Sequence, residues 1–145
     1  MKTTTAVMIG LALSSFMITA MAEEGKPYKE GQVTSVTFVK TKPGKFDDYL
    51  KYLDTKYKAE MEAEKTAGIV TRYAVMSATP HNPNDPDLIL TVTYPNMAAL
   101  DRGEEMDAIS AKLEGSLANA NKGFADRESI RQILGSELVR ELILK

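Results

Sequence analysis

The order of strand-like and helix-like segments is the feature that most limits how this chain can fold. A helix is predicted from Phe46 to Gly68, because apolar residues recur at three- and four-residue steps and glycine suits a helix end. Its charged residues, Glu60 and Glu64 among them, are expected mostly on the solvent side. A second helix is predicted after Asn96, which can cap it. Four runs rich in β-branched or alternating apolar residues predict strands at residues 33–39, 69–78, 88–94 and 138–144.

The segment between the second helix and the last strand departs from this simple order. Gly103 and Gly115 are expected to break the second helix, and residues 118–123 form a weak stretch rich in Asn and Ala. Residues 126–134 predict an extra short helix that ends at Gly135. We therefore predict an α+β fold, a ferredoxin-like βαββαβ sandwich with an extra short helix before the last strand, in which two helices cover one face of a four-stranded sheet.

The second face of that sheet is also predicted to be apolar. In the first strand, Val33 and Val39 lie on the face opposite to Val36 and Phe38, so each face receives apolar side chains. The last strand, residues 138–144, shows the same pattern. The face without helices therefore needs a cover of its own.

The first 22 residues have the three-part pattern of a cleavable export signal. Lys2 gives a positive start, residues 6–19 are almost free of charge, and the segment AMA at residues 20–22 matches a small-x-small cleavage site. The apolar stretch is shorter than the roughly 20 residues that cross a bilayer, so we expect no membrane segment after cleavage. We expect a bacterial protein that is periplasmic or secreted.

The rest of the chain divides into a flexible segment at residues 23–31 and a single domain at residues 32–145. The absence of cysteine excludes disulfides, thiolate nucleophiles, iron–sulfur clusters and cysteine-ligated zinc. A formal net charge of −2 is too mild to indicate a nucleic-acid partner. No phosphate-binding, dinucleotide-binding or nucleophile-elbow motif is present, and the sequence predicts neither a cofactor nor a metal site.

Several segments resemble the dimeric α/β-barrel superfamily, in which two ferredoxin-like domains pack sheet to sheet around a shared cavity. KPGKFDDYLKYL at residues 42–53 is similar to the entry of that family's first helix, and LTVTYPNMAALDR at residues 90–102 to its third strand and second helix. GSELVRELILK at residues 135–145 fits a last strand, whereas the inserted helix departs from the simplest pattern. The resemblance implies a homodimer that forms through the open sheet face.

Members of that superfamily include cofactor-free monooxygenases of aromatic substrates, haem-degrading and haem-binding enzymes, and small stress-related proteins. The oxygenases usually place a Trp, Asn or His in the cavity. This chain has no Trp, and its one His falls in a predicted loop. The resemblance therefore assigns no catalytic residue.

Four residues on predicted strands are candidates for binding a ligand. Arg72 and Tyr73 are neighbours and so point to opposite faces, as do Arg140 and Glu141. Arg72, or Arg140 with Glu141, could line a cavity between two sheets and hold an anionic or hydrogen-bonding ligand. The alternative is an ion pair across strands or between protomers.

His81 is a weaker candidate. It lies in residues 79–87, where three prolines and several Asx residues predict a loop. Its imidazole could bind a metal or haem iron or act as a general base, and the alternative is a solvated loop residue. Tyrosines could position a phenolic substrate, but Tyr49 and Tyr57 lie on the apolar stripe of the first helix and are expected in the core.

Three functions follow as hypotheses. The first is an exported homodimer that binds a small apolar or aromatic molecule in a barrel cavity without chemistry of its own. The second is a cofactor-independent oxygenase or haem-handling enzyme, for which Tyr73, His81 and Arg140 are the best candidates. The third is a stress-related structural or interaction protein whose sheet face meets a different partner.

We expect export to release a chain that begins at Glu23, because signal peptidase cuts after a small-x-small segment. Intact-mass measurement of the protein from the periplasm of an expressing bacterium should give the mass of residues 23–145. A chain that keeps Met1, or that stays in the cytoplasm, would contradict the prediction.

Overall fold

The computed structural model describes residues 25–145 of the chain. The predicted export signal at residues 1–22 lies outside the described residues, as do the first two residues of the predicted flexible segment. In the described part, no helix is both long enough and apolar enough to cross a membrane.

A four-stranded antiparallel sheet forms one layer of the protein, and its strand order is β2-β3-β1-β4. The strands are β1 (Tyr28–Thr41), β2 (Arg72–Ser77), β3 (Leu88–Tyr94) and β4 (Arg131–Leu144). Helices connect β1 to β2 and β3 to β4, so the predicted βαββαβ order and α+β class are confirmed. The central strand β1 pairs with β3 on one side and with β4 on the other.

The first helical region runs from Phe46 to Thr66 without leaving the right-handed helical conformation. Its parts are α1 (Phe46–Tyr52), a π-helical segment (Leu53–Tyr57) and α2 (Lys58–Thr66). The buried face carries Tyr49, Leu53 and Met61, as the apolar spacing predicts. After the helix, Gly68 takes a φ of +68°, which a residue with a side chain rarely adopts.

The second helical region begins with the predicted cap. Asn96 Oδ1 accepts the backbone N–H of Ala99 over 3.2 Å, and the 3₁₀ helix Met97–Asp101 follows. The main helix, α3, covers Gly103–Glu114 and ends at Gly115, whose φ is +84°. Both predicted glycine breaks are therefore confirmed.

An extra helix lies before the last strand, but its predicted position is wrong. It is α4 (Leu117–Asp126), and it covers the Asn/Ala-rich stretch that the sequence marked as weak. Ser116 caps it, because Ser116 Oγ accepts the backbone N–H of Asn119 over 3.1 Å. A local cap and a few apolar residues are enough to form the helix where propensity alone did not indicate one.

Most of the residues predicted as the extra helix belong to other elements. A single 3₁₀ turn, Arg127–Ser129, leads into β4, and Arg131 already pairs with Thr41 at the end of β1. Gly135 pairs with Phe38 beside a bulge and does not end a helix. Pairing with the long central strand overrides the helical spacing of this segment.

The first strand begins earlier than predicted, at Tyr28. The prediction of a flexible segment is therefore wrong for residues 28–31, because Tyr28 pairs with Leu144 and Glu30 with Leu142 of β4. The second strand is shorter than predicted, since Ile69 and Val70 are buried but lie before β2.

The helices cover one face of the sheet, and the core lies between the two layers. Val39, Leu88 and Leu90 from the sheet pack against Tyr49 and Leu53 from the first helical region. Burial of such side chains supplies most of the stability of a domain without disulfides.

Two glutamates of α2 lie on the covered side of the helix, contrary to the sequence expectation. Glu64 is 5% exposed, and Glu60 accepts a hydrogen bond from Ser110 of α3. A π-helical segment holds more residues in each turn than an α-helix, so it rotates the residues that follow away from the α-helical period. Burial first, and the charge of Glu60 second, raise the pKa of Glu64 to about 7.

This glutamate should make stability depend on pH. A carboxyl that holds its proton more tightly in the folded chain contributes stability below its unfolded pKa, and that contribution is lost as the pH rises through the folded value of about 7. We expect Glu64→Gln to remove this loss and to make the protein more stable than wild type at pH 8. Urea denaturation at pH 5 and pH 8 measures it.

Glu104→Gln, at an exposed position of α3, is the matched control, and its stability should keep the wild-type dependence on pH. If Glu64→Gln loses stability between pH 5 and pH 8 as the wild type does, the assignment to Glu64 is wrong.

Candidate functional site

The strand pairing defines a sheet face that no helix covers. Val39 and Leu88 pair with each other and pack under the helices, so the next residues, Phe38 and Ile89, point away from them. Paired residues share a face, which gives three rows across the sheet. From β2 through β3 and β1 to β4, the rows are Arg72, Thr93, Thr34 and Val139; Ala74, Thr91, Val36 and Glu137; Met76, Ile89, Phe38 and Gly135. We call this surface the open face.

The open face is apolar along one side and hydroxylic along the other. Met76, Ile89 and Phe38 form the most apolar row. The hydroxyl oxygens of Thr34 and Thr93 lie 3.0 Å apart in a hydrogen bond, so these two side chains satisfy each other. Such a surface can pack against another apolar surface without leaving polar groups unpaired.

The charges of the open face lie at its two edges. Arg72 is on β2 and Glu137 on β4, with β3 and β1 between them. Three strand spacings, about 14 Å, separate the two side chains, which is too far for an ion pair within one chain. Among residues 25–145, neither side chain has a hydrogen-bond or ion-pair partner.

A two-stranded arm extends the sheet beyond the end of β3. Val33 forms the last pair with β3, whereas β1 and β4 continue to Tyr28 and Leu144. Leu142, Ile143 and Leu144 of this arm are exposed, the last to 80%. Since successive strand residues alternate in direction, both faces of the arm carry apolar side chains.

The candidate residues Arg72 and Tyr73 separate as alternation predicts, Arg72 to the open face and Tyr73 to the helix side. The Tyr73 hydroxyl donates to Glu62 Oε1 over 2.8 Å, and its ring meets Tyr57 edge to face. This hydrogen bond lowers the pKa of the Glu62 carboxyl and raises the pKa of the Tyr73 hydroxyl. The Tyr73 hydroxyl is therefore occupied by its own chain.

Arg140 and Glu141 lie where β4 pairs with the start of β1. Arg140 forms an ion pair with Glu30, which is the cross-strand alternative that the sequence left open. Glu141 lies against Gly31, where an added Cβ would meet the Glu141 carboxylate at 2.7 Å. Neither residue lies in the three rows of the open face.

His81 lies in the exposed loop between β2 and β3. The Asp85 carboxylate accepts the backbone N–H groups of His81 and Asn82, each over 2.9 Å, and these bonds lower the pKa of Asp85. Asp87 in turn accepts from Thr41 Oγ1 over 2.6 Å and so fixes the loop to the end of β1. Among the described residues, no group of His, Asp and Glu side chains is arranged to hold a metal ion.

The structure therefore brings none of the five candidates together. Tyr73, His81 and Arg140 lie on the helix side, in a loop and in the arm, respectively. Sequence reasoning missed Glu137, because its place on the open face depends on the bulge in β4 that sets the register. It also missed Arg127 and Arg131, which fell in the segment assigned to the wrong helix.

No protein-family profile matches the chain, and a search of curated proteins found no match. Solved structures with a similar fold include HapK from Hahella chejuensis, with 11% identity, 75% of this chain and 91% of that chain covered and a TM-score of 0.53. Protein SO0527 from Shewanella oneidensis shares 16% identity over 80% of this chain and 98% of its own, with a TM-score of 0.50.

A dimeric ferredoxin-like protein from an uncultured marine organism is 10% identical over 81% of this chain and 90% of its own, with a TM-score of 0.45. At these identities the first two likenesses concern the fold alone. With the strand order β2-β3-β1-β4, they confirm the predicted ferredoxin-like fold.

Replacement of Tyr73 by Phe tests whether its hydroxyl acts on Glu62. Without the donor, we expect the pKa of the Glu62 carboxyl to rise toward its ordinary value. A carboxyl ¹³C NMR titration measures the change, and Tyr28→Phe, a tyrosine of the arm, is the control that should leave Glu62 unchanged. An unaltered Glu62 titration in Tyr73→Phe would show that the hydroxyl is free for another role.

Proposed function

We propose that this protein is an exported homodimer, formed through the open face, that binds a small apolar or aromatic molecule between the two sheets. The observation that carries the proposal is the placement of Arg72 and Glu137 at opposite edges of an apolar face, each without a partner among residues 25–145. The export signal adds that the dimer acts outside the cytoplasm.

A two-fold axis between the faces, parallel to the strands, makes these charges complementary. The axis lays the β2 edge of each copy over the β4 edge of the other. Arg72 of one copy then faces Val139 of its partner. The partner's Glu137 lies one row further along β4, about 7 Å from that point. An arginine side chain spans that offset, so two symmetric ion pairs close the two sides of one interface.

The centre of the open face sets the chemistry of the ligand. Val36, Phe38 and Ile89 from facing sheets would surround a molecule with apolar side chains, and the Thr91 hydroxyl offers one polar contact in each copy. Such a lining favours an apolar or aromatic molecule over a charged one. The arm adds Ile143, which lies on the same side of β4 as Val139, to the surface that a second copy can cover.

Charge exchange tests the interface. We expect Arg72→Glu and Glu137→Arg each to weaken dimerisation by about tenfold or more, because each places like charges together, and the double variant to restore it. Native mass spectrometry of the periplasmic protein reads the dimer and any retained ligand in the same spectrum. The wild-type dimer should carry added mass, and the Arg72→Glu monomer should lose it.

Lys112→Glu on the exposed surface of α3 makes the same change of charge away from the open face and should leave the dimer intact. A wild-type protein that is monomeric, or single variants that dimerise as tightly as wild type, would refute the interface. A dimer without added mass would refute the ligand between the sheets and leave the interface standing.

A further inference from the structure

Two adjoining pockets of about 220 Å³ each lie on the helix side of the sheet, away from the open face. The inner pocket reaches the sheet at Val39, Leu90 and Ile133, and the outer pocket lies between the first helical region and α3 and α4. The two pockets share four wall residues: Tyr52, Glu60, Phe124 and Arg127. The two pockets adjoin at this shared wall, and we call the inner one the helix-side pocket.

Two arginines with spare donors line the helix-side pocket. Arg131 is only 2% exposed and donates to Glu128 Oε1 over 2.7 Å, while its guanidinium lies 4.9 Å from the centre of the Phe124 ring. Arg127 stacks 4.3 Å from the centre of the Tyr52 ring, and no carboxylate pairs with it within residues 25–145. A guanidinium carries five N–H donors, so both cations can accept an anion as a further partner.

A tyrosine in the wall of this pocket also carries an unpaired hydroxyl. Within residues 25–145, the Tyr57 hydroxyl is buried and has no hydrogen-bond partner. Unpaired buried polar groups are rare in folded proteins. Tyr57 ends the π-helical segment, a distortion that often marks functional positions in helices. Burial raises the pKa of Tyr57 and raises that of Tyr52 to about 12, so both hydroxyls are neutral donors at neutral pH.

The one carboxylate in the wall is already engaged, because Glu60 accepts a hydrogen bond from Ser110. Glu128 already pairs with Arg131, so the unpaired positive charge at one end of the pocket is that of Arg127. Tyr49 and Tyr52 stack with their ring centres 5.8 Å apart, and Phe124 closes the other side with an aromatic surface. The pocket therefore offers a cationic end, flat aromatic walls and a neutral donor.

We propose that the helix-side pocket binds a small aromatic carboxylate, whose carboxylate meets Arg127 and Arg131 and whose polar ring substituent meets the Tyr57 hydroxyl. A ligand of this class supplies the anion that Arg127 lacks and the acceptor that the Tyr57 hydroxyl lacks. The volume is smaller than that of pockets for drug-sized molecules, so a single ring fits the space best.

This site is independent of the proposed dimer. Every residue of its wall comes from one chain and lies on the helix side of the sheet, whereas the dimer would use the open face. A protomer should therefore bind the aromatic carboxylate whether or not it has a partner. Loss of the dimer and loss of this site can be measured separately.

The test uses 4-hydroxybenzoate as the probe in isothermal titration calorimetry. We expect saturable binding to the wild type, about tenfold or more weaker binding to Arg127→Met, and a similar loss for the uncharged methyl 4-hydroxybenzoate on the wild type. Tyr57→Phe should weaken binding of 4-hydroxybenzoate but leave binding of benzoate unchanged, since benzoate lacks the hydroxyl. Tyr57→Phe removes an unpaired group, so it should fold at least as well as the wild type.

Lys112→Met removes a positive charge from the exposed surface of α3, outside the wall of either pocket, and is the control that should bind 4-hydroxybenzoate as the wild type does. The proposal is overturned if the wild type shows no saturable binding, or if the methyl ester binds as tightly as the acid. It is also overturned if Arg127→Met and Tyr57→Phe both keep full affinity. The ester comparison needs no variant, so the test stands even where Arg127→Met fails to fold.

Discussion

From Val33 to Val39, β1 alternates between a covered and an uncovered face of the sheet, and it is paired on both sides. Val39 points to the helices and Phe38 points away from them, although both are apolar. One layer of helices can satisfy only one of these faces. The position of the core, the open face and the need for a second apolar surface all follow from this single strand.

The two surfaces available for binding differ in their chemistry because of that division. The open face has an apolar centre with Arg72 and Glu137 at its edges, so it suits a symmetric protein contact. The helix-side pocket has Arg127, Arg131 and an unpaired Tyr57 hydroxyl, so it suits a small anion with a flat ring. The proposed dimer surface and the proposed pocket for an aromatic carboxylate thus lie on opposite sides of one sheet.

The sequence predicts the fold well where the spacing of apolar residues and the residues at the ends of the elements indicate the same structure. The bounds of β3 are those read from its alternation, and Asn96 and Gly115 act as cap and terminator. The prediction fails where pairing between strands decides the secondary structure. The apolar residues of 131–134 have helical spacing, but this segment extends the sheet beside β1. Register and helix distortion are long-range effects, and no local pattern reports them.

The site was less predictable than the fold for the same reason. Arg72 could be placed on one of two faces by alternation alone, but its relation to Glu137 depends on a bulge in β4, three strands away. Glu64 was expected in solvent, and a π-helical segment turned it inward. Arg131 lines a pocket because β4 begins at this residue, seven residues before the predicted start of the last strand.

β4 is a 14-residue strand at the edge of the sheet, and in the described part of the chain nothing pairs along its outer side. Its free backbone amides and carbonyls, next to Leu138, Leu142 and Ile143, are the kind of template on which chains add strand to strand and aggregate. Glu137, Arg140 and Glu141 interrupt that apolar run with charge. Two of these three, Arg140 and Glu141, are residues that the sequence singled out for ligand binding, and charges at such positions of an edge strand disfavour its pairing with further chains.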